Sequence, residues 1–288
     1  MCIRDRAVTA VAAMQLVERG LLKLDEPAFT LLPELKTIQV LQGFDETGAP
    51  RLRPPKSNIT LRNLMTHTAG FGYDVWHQQI KDFVEAKNII SRSSGSRVAL
   101  MTPLMFDPGT DWAYSISIDL VALMIQEATK QKLGEFLKTN IFEPLGMKST
   151  GFFIDKNMSN CLATMYRREN NTLTPDLKFK IKQNPEVEAG GGGLYSTLND
   201  YILFLRMLLN DGRANNLQIL RPETIEVMFT HHIGSNVDMK MYSTNKAISR
   251  DVNFFPGTPK SWGLSFMINQ EKAETGRPAN SLGWAGLS

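Results

Sequence analysis

F-D-P-G-T-D-W-A-Y-S-I-S-I-D, residues 106–119, is the stretch that says most about this fold. A Pro-Gly turn precedes Tyr114 and Ser115, and a strongly apolar helix is predicted to follow. A tyrosine at such a junction has its ring held by the fold and its hydroxyl at the mouth of a cleft. That is a suitable place for a phenol that acts as an acid or base. Taken alone, the stretch favours the alternative, a buried tyrosine whose hydroxyl only finds a hydrogen-bond partner.

The predicted helix on the C-terminal side of this stretch runs from Ser117 to Lys130, with apolar residues on nearly all faces. A helix of that kind is buried in the protein interior. Near the N-terminus, apolar residues between Val8 and Leu16 also recur at helical spacing, and Gly20 provides a stop. We interpret this segment as an amphipathic or buried helix of the fold rather than as a signal peptide.

The remaining patterns predict shorter elements. Helices are expected after Thr60, from Leu133 to just before Pro144, and over 198–210, where Thr197 and Asp200 resemble a capping box. Residues 42–57 are predicted to be a loop, and residues 152–188 an irregular polar segment. Residues 261–269 alternate with a period close to two and are predicted to form a hairpin with residues 280–288.

A mostly helical middle between strand-bearing ends predicts an α/β (α+β) fold, in which an antiparallel sheet is flanked by helices. We assign residues 1–59 and 190–288 to one discontinuous domain and residues 60–189 to a mostly helical second domain. A chain of 288 residues is too long for a single small hydrophobic core. A cleft between the two domains is the expected location of a site.

Composition and charge exclude several function classes. The net charge of +3 is spread along the chain, so nucleic acid is not an expected partner. No apolar run approaches eighteen residues, so no membrane span is expected. The two cysteines imply no disulfide framework and leave the compartment open, and the four histidines have no metal-ligand spacing. We therefore expect neither a metal nor a cofactor.

Four pieces of the chain together resemble the serine β-lactamase and penicillin-recognising superfamily, and especially its class C-like carboxylesterase branch. They are L-M-T-H-T-A-G-F at 64–71, the Tyr114-Ser115 block, I-F-E-P-L-G-M-K-S-T at 141–150 and G-G-G-G-L-Y-S-T at 190–197. The Gly run alone could suggest a phosphate loop, but no Lys-Ser/Thr follows it. The resemblance runs from Ala7 to Ser288 and implies the family's β-lactamase-like fold.

The resemblance also implies acyl transfer through a serine ester, with a lysine and a tyrosine sharing the removal of the serine proton. The family's tyrosine falls on Tyr114, which is expected to be the general base and later the acid. The third family element falls on Trp284-Ala285-Gly286. The N–H of Leu287 would then be one oxyanion donor. Ser115, beside the tyrosine, is included among the expected substrate-binding residues.

Two departures from the family pattern bear on the substrate. Ile116 replaces an asparagine that binds a carboxamide, and Trp284 replaces the lysine or histidine that would attract a carboxylate. Both changes favour small neutral esters over anionic lactams. We therefore predict a small-molecule ester or amide as the substrate and an esterase-like preference.

The family's serine and lysine fall on Ile3 and Arg6, neither of which can do their chemistry. The chain is either a natural non-catalytic relative or a fragment in which foreign sequence, Met1 to Arg6, replaces the true motif. The second explanation is favoured, because Met1 to Arg6 fits no pattern and several sheet strands are missing. Either way, the chain as written is predicted to be inactive.

Three other candidates are weaker. Ser243 and Lys246 satisfy the same four-residue spacing by chance, in a loop-like segment. Ser115 lacks the elbow motif of a nucleophile. His67 has no recognised catalytic partner in the sequence, so a structural loop role is predicted for it.

Overall fold

The computed structural model describes residues 5–169, 172–234 and 237–286 of the chain. Its centre is formed by helix α1 (Arg6–Glu18) and helix α4 (Ser117–Thr129), which pack against each other. Every residue of α1 from Arg6 to Leu16 is buried, as are the first nine residues of α4. The predicted central helices are therefore confirmed, and the small side chains of α1 allow the close approach of α4.

Shorter helices surround this pair. They are α2 (Leu61–Met65), α3 (Gln78–Ala86), α5 (Leu133–Leu137), α6 (Glu143–Leu145), α7 (Lys156–Asn160), α8 (Leu198–Leu209) and α9 (Pro222–Phe229). Single 3-10 turns lie at Ala28–Thr30, Pro33–Thr37, Arg92–Ser94 and Arg97–Leu100, and a π-helical turn lies at Lys138–Phe142. No helix in the described part of the chain is long and apolar enough to cross a membrane.

Capping side chains fix the starts of α2 and α8. Thr60 and Asn63 form a reciprocal capping box, in which each side chain accepts from the other residue's backbone N–H. Thr197 caps α8 by accepting from the N–H of Asp200, as predicted. The Asp200 carboxylate, however, accepts from the N–H of Ser149 at 2.7 Å. Asp200 therefore lies in the first turn of α8 and also connects this helix to the segment that contains Ser149.

The helix that was predicted to stop before Pro144 does not stop there. Pro144 lies in the first turn of α6, where its missing N–H is tolerated. The regular α-helix is interrupted earlier, by the π-helical turn at Lys138–Phe142. A proline at the start of a new helical turn thus gave a false stop signal.

Short antiparallel ladders make up the β structure. Hairpins join β1 (Val40–Phe44) to β2 (Pro50–Arg53), β3 (Met165–Glu169) to β4 (Thr172–Asp176), and β5 (Arg213–Ala214) to β6 (Leu217–Gln218). A three-stranded sheet has the order β7 (Lys260–Trp262), β8 (Met267–Asn269), β9 (Ser281–Gly283). Helices with small antiparallel sheets confirm the predicted fold class.

The predicted loop over residues 42–57 is wrong, because most of it forms the β1–β2 hairpin. Its Gly and Pro residues serve the turn: Gly48 has a φ of +80°, and Pro50 begins the second strand. The Asp45 carboxylate stabilises the turn by accepting from the N–H groups of Thr47 and Ala49. The segment 152–188 is likewise more ordered than predicted, since it holds α7 and the β3–β4 hairpin.

The predicted single strand over residues 261–269 is two strands. A tight turn separates β7 from β8, closed by the Gly263 N–H bound to the Phe266 carbonyl at 2.8 Å, with Ser265 at a φ of +73°. Leu264 and Phe266 in the turn are themselves buried, so the apolar alternation continues through it. Strand β9 pairs with β8, which confirms the predicted hairpin of the two C-terminal segments.

Buried apolar side chains form one cluster that includes residues from Ala7 to Met267. Side chains of α1, α4 and the three-stranded sheet all belong to it. The predicted division at residues 59 and 189 is not tested by this packing and stays a prediction.

Candidate functional site

Tyr114 is held where the loop before α4 meets three other ring systems. Its side chain is 7% exposed. The ring centroid lies 5.1 Å from those of His67 and Tyr73 and 4.8 Å from that of Trp284. The preceding residue, Ala113, donates its N–H to the His67 carbonyl at 3.0 Å. The ring is therefore fixed both by packing and by the backbone that carries it.

A buried cation lies over the same ring. The guanidinium carbon of Arg6 is 5.1 Å from the Tyr114 ring centroid. Its two terminal nitrogens donate to the carbonyl oxygens of Gly191 at 2.8 Å and Ala285 at 3.1 Å. Arg6 thus joins the start of α1, the Gly run and the residues after β9. Apart from its register with the family's lysine, Arg6 fits no pattern in the sequence, whereas the structure places it in the first turn of α1.

The electrostatics of Tyr114 follow from its burial. Burial raises the pKa of its phenol, and the nearby Arg6 charge opposes this shift without cancelling it. The phenol is therefore protonated at neutral pH, where an ordinary tyrosine is also protonated. To act as a base it needs a stronger positive charge near the oxygen than this chain provides.

Asp5, directly before α1, binds the backbone of the Gly run. One carboxyl oxygen accepts from the N–H groups of Gly193 at 2.5 Å and Leu194 at 3.0 Å. The other oxygen has no partner among the described residues. Burial raises the pKa of this carboxyl to about 7. The Asp5 carboxyl therefore keeps its proton to a much higher pH than an ordinary aspartate does, and no local pattern in the sequence predicts this.

Asp119, in the first turn of α4, holds the Gly run from the other side. Its carboxyl oxygen accepts from the Gly191 N–H at 2.8 Å, and burial raises its pKa. Gly191 is thus bound at both ends of its backbone, by Asp119 at the N–H and by Arg6 at the carbonyl. Asp119 was not predicted as a site residue, although a carboxylate in the first turn of a helix with apolar residues on nearly all faces was an available signal.

The Gly run itself is a close-packed segment rather than a ligand loop. A Cβ on Gly190 would lie 2.5 Å from the Ile118 carbonyl oxygen, and one on Gly191 would lie 2.4 Å from an Ile118 methyl group. The hydroxyl of Thr9 also donates to the Gly190 carbonyl at 2.8 Å. Residues 190 and 191 are therefore glycine because α1 and α4 leave no room for side chains there.

Trp284 belongs to an aromatic cluster on the other side of Tyr114. Its ring lies 4.8 Å from Trp262, 5.2 Å from Phe254 and 6.2 Å from Trp112. The structure thus brings together Tyr114 and Trp284, as the sequence predicts. Gly286 is exposed, and Leu287 lies outside the described residues, as does Ile3.

Ser115 and Ile116 point away from solvent, each 1% exposed. The Ser115 hydroxyl lies 3.2 Å from Nδ1 of His67 and 2.7 Å from the Ser117 hydroxyl. Their predicted role as substrate-binding residues is not supported by exposure and stays a prediction.

His67 has a strained and buried position. Its φ is +57°, it is 1% exposed, and its Nε2 has no partner among the described residues. Burial, with a smaller contribution from the Arg6 charge, lowers its pKa to about 3. The imidazole is therefore neutral at physiological pH. It packs edge-on against Tyr114 and Trp262, which fits the loop role predicted for it.

The chance match to Ser-x-x-Lys, Ser243 with Lys246, is not among the residues that contact Tyr114. Ser243 and Lys246 are in an irregular segment, and the Lys246 ammonium is bound to Asp251. The ammonium is therefore occupied by a carboxylate. Within residues 5–169, 172–234 and 237–286, no group of three His, Cys, Asp or Glu side chains could hold a metal ion.

Comparison with known proteins adds relatives of named activity. The family model described as Beta-lactamase matches residues 6–288. The acyltransferase mokF of Monascus pilosus is 31% identical, over 92% of this chain and 65% of its own length. The lovastatin esterase of Penicillium rubens is 28% identical, over 98% of this chain and 72% of its own length.

Among solved structures, the LovD6 mutant of simvastatin synthase from Aspergillus terreus superposes with a TM-score of 0.79 at 30% identity. The match covers 95% of this chain and 66% of that one. The chain thus spans about two thirds of the length of the relatives it matches. Their names describe acyl transfer and ester hydrolysis.

Proposed function

The chain belongs to the β-lactamase family, and from that premise we propose that its fold serves a serine acyl-transfer enzyme, an esterase of small neutral esters. The observation that carries this proposal is the buried pair of Tyr114 and Arg6, 5.1 Å from guanidinium carbon to ring centroid. The family resemblance places the lysine of Ser-x-x-Lys at that cation. A tyrosine beside a fixed cation from the first turn of α1 is the arrangement that removal of a serine proton uses, once a lysine stands in the place of Arg6.

In the complete enzyme a lysine in the place of Arg6 holds Tyr114 as a phenolate. A serine oxygen attacks the ester carbonyl carbon while this phenolate accepts the serine proton. Tyr114 then returns that proton to the departing alkoxide, and an acyl-enzyme remains. Water, or the hydroxyl of an acceptor alcohol, attacks this ester in turn and releases the serine. The N–H of Leu287 and that of the serine would stabilise the oxyanion.

The ester preference rests on Trp284 and Ile116. Trp284 presents an aromatic surface beside Tyr114 in place of a cation, so a carboxylate on the substrate gains no partner there. Ile116 carries no amide for a lactam side chain. The names of the relatives, an acyltransferase and an esterase, agree with ester chemistry.

The chain as written is proposed to be without an acyl-enzyme, because Ile3 and Arg6 stand where the serine and lysine belong. The observation that favours a second function, ligand binding without turnover, is the fixed position of Arg6. Its guanidinium donates to Gly191 and Ala285 and stays protonated, so it cannot take up a proton.

The test restores the missing motif with the double variant Ile3→Ser/Arg6→Lys. A fluorophosphonate probe should label this variant at residue 3 and leave the wild-type chain unlabelled. p-Nitrophenyl butyrate should be hydrolysed faster than a chromogenic cephalosporin. Ile3→Ser alone is the matched control and should label slowly, because arginine accepts no proton.

Adding Tyr114→Phe to the double variant should lower labelling and hydrolysis by about 10²–10⁴-fold, the usual contribution of a positioned acid–base group. A folded double variant that is not labelled would show that the serine-enzyme proposal is wrong and favour the binding protein. Faster turnover of the cephalosporin would overturn the ester preference alone.

A further inference from the structure

Helix α8 (Leu198–Leu209) has apolar side chains on its outer face as well as on its inner face. Inner side chains such as Phe204 and Met207 are buried in the core. A surface helix ordinarily carries polar residues on the face that points to water. On α8, four large apolar side chains of the outer face are instead exposed, by between 39% and 82%: Leu198, Ile202, Leu205 and Leu209.

These four side chains have the spacing of a coiled-coil seam. They are four, three and four residues apart in sequence, so they form one continuous line along the helix, which we call the α8 stripe. Single apolar residues on a surface need no explanation, whereas a contiguous apolar patch marks an interaction site. The helix that carries the stripe is also held in place, because Thr197 caps its start and the Asp200 carboxylate accepts from the Ser149 N–H.

The α8 stripe is complementary to a second copy of itself. Its four-three-four spacing reads the same in both directions, so a twofold axis can bring two stripes together with their helices antiparallel. Leu198 of one copy then meets Leu209 of the other, and Ile202 meets Leu205. Every side chain of the stripe thereby gains an apolar partner.

The charges of α8 favour the antiparallel arrangement. Asp200 and Arg206 are the two charged residues of the helix, and the Asp200 carboxylate is bound to Ser149 and Thr150. Arg206 is exposed beside the stripe. In a parallel pair the two Arg206 side chains would lie at the same level and repel each other. In the antiparallel pair they are about 7–8 Å apart along the helix axis, and each lies near the neutral Asn199 of the other copy.

We propose that the chain forms a twofold-symmetric dimer through the α8 stripe, with the two helices antiparallel. Large apolar patches on monomers cover about 300–600 Å², so two such stripes bury about 600–1,200 Å² together. Stable interfaces begin at about 1,200 Å², so this dimer is weak and reversible. Its dissociation constant should be on the order of 10–100 µM, since even standard-sized interfaces extend to micromolar affinity. Dimerisation needs no acyl-enzyme, so this proposal stands or falls separately from the proposed catalysis.

Sedimentation equilibrium of the wild-type chain tests the association. The mass should rise from the 32.3 kDa of one chain towards twice that value. Concentrations from about 2 to 500 µM cover the expected dissociation constant. Because the contact is apolar, about 1 M NaCl should leave the dimer in place. A monomer at the highest concentration, growth beyond a dimer, or dissociation by salt would overturn the proposal.

Charge variants then locate the interface. Ile202→Lys places a cation in the middle of the stripe and should weaken dimerisation at least about tenfold. Ile248→Lys is the matched control, because it makes the same change at a side chain that is 60% exposed in the segment between α9 and β7. It should dimerise like the wild type. Circular dichroism checks that both variants are folded. Unchanged dimerisation of a folded Ile202→Lys variant would show that the stripe is not the interface.

Cysteine variants test the direction of the helices. In a Cys2→Ser/Cys161→Ser background, mild oxidation of a mixture of Leu198→Cys and Leu209→Cys chains should give a disulfide-linked dimer. Either variant alone should stay monomeric on a non-reducing gel, because its two cysteines would be roughly 16 Å apart along the helix axis, too far for a disulfide. A disulfide formed by Leu198→Cys alone would indicate parallel helices and overturn the antiparallel arrangement.

Discussion

Replacement of Gly190 by alanine is expected to destabilise the fold, because the new methyl group would overlap both central helices. Its Cβ would lie 2.5 Å from the Ile118 carbonyl oxygen, 2.9 Å from the Ala122 Cβ and 3.0 Å from a Thr9 methyl group. Two of these atoms belong to α4 and one to α1. The carbonyl oxygen is backbone, so rotation of a side chain cannot relieve the closest contact.

The size of the effect follows from the contacts that must change. Forcing a methylene-sized group into a packed interior costs about 1–3 kcal/mol. Any shift of residue 190 also weakens the 2.8 Å bond from the Thr9 hydroxyl to its carbonyl, worth about 1 kcal/mol. The loss of glycine's freedom in the unfolded chain returns about 0.4–1 kcal/mol. The net loss is therefore about 1–3.5 kcal/mol, which for a chain of this size lowers Tm by roughly 2–6 °C.

Gly192→Ala is the matched control, two residues along the same run. A Cβ there would meet no atom within 4 Å, its φ lies outside the left-handed region, and the residue is exposed. Its stability should stay within about 0.5 kcal/mol of the wild type. Urea unfolding followed by far-UV circular dichroism measures both variants. Equal losses in the two, or no loss in Gly190→Ala, would show that close packing against the two central helices is not what requires glycine at residue 190.

Three further predictions concern stability. Asp5→Asn removes a carboxyl that keeps its proton to about pH 7 when folded but loses it near pH 4 when unfolded. As pH rises from about 4 to 7, the wild type should therefore lose up to about 4 kcal/mol of stability relative to the variant, whose side chain does not titrate. Urea midpoints across that range should show this fall. Asparagine is accepted at the left-handed backbone of residue 67, so His67→Asn removes the imidazole without straining the chain. The folded pKa of His67 is about 3, so the wild type should lose stability relative to this variant as pH falls below about 6.5. Urea unfolding across the same pH range measures this loss. Thr60→Ala deletes the cap of α2 and should cost about 1 kcal/mol by urea unfolding, whereas Thr60→Ser should keep it.

The sequence predicted best where a pattern is long and comes from one physical cause. Helices α1 and α4 have thirteen residues each. They were recognised because the apolar residues of α1 recur at helical spacing and those of α4 cover nearly all faces. The pattern over residues 261–269 did not show the turn between β7 and β8, because a turn can be as apolar as a strand. Leu264 and Phe266 are buried in that turn. The β1–β2 hairpin was missed for the opposite reason, since polar, exposed strands resemble a loop.

Some residues of the candidate site could likewise be predicted from the sequence, and others could not. Tyr114 stood out because it follows a Pro-Gly turn and precedes an apolar helix, whereas Trp284 was assigned to the site by the family resemblance. The roles of Asp5 and Asp119 depend on which backbone groups they meet, and the partners of each are more than seventy residues away in the chain. No local pattern encodes such a contact. What the sequence does offer is the carboxylate in an apolar setting, and that signal was available for Asp119.

The contacts of Gly191 explain how the cation beside Tyr114 keeps its position. The N–H of Gly191 is bound by Asp119 of α4, and its carbonyl is bound by Arg6 of α1. One peptide segment therefore sets the distance between the first turns of the two central helices, and the Tyr114 loop leads directly into one of them. A planar guanidinium reaches a second carbonyl, that of Ala285, because its two terminal nitrogens diverge. A lysine ammonium is a single point charge, so at the same place it would give up one of these carbonyls and leave a donor for the phenol oxygen. The planar guanidinium that makes Arg6 a good structural cation also stays protonated, so Arg6 cannot act as the proton-accepting partner of Tyr114.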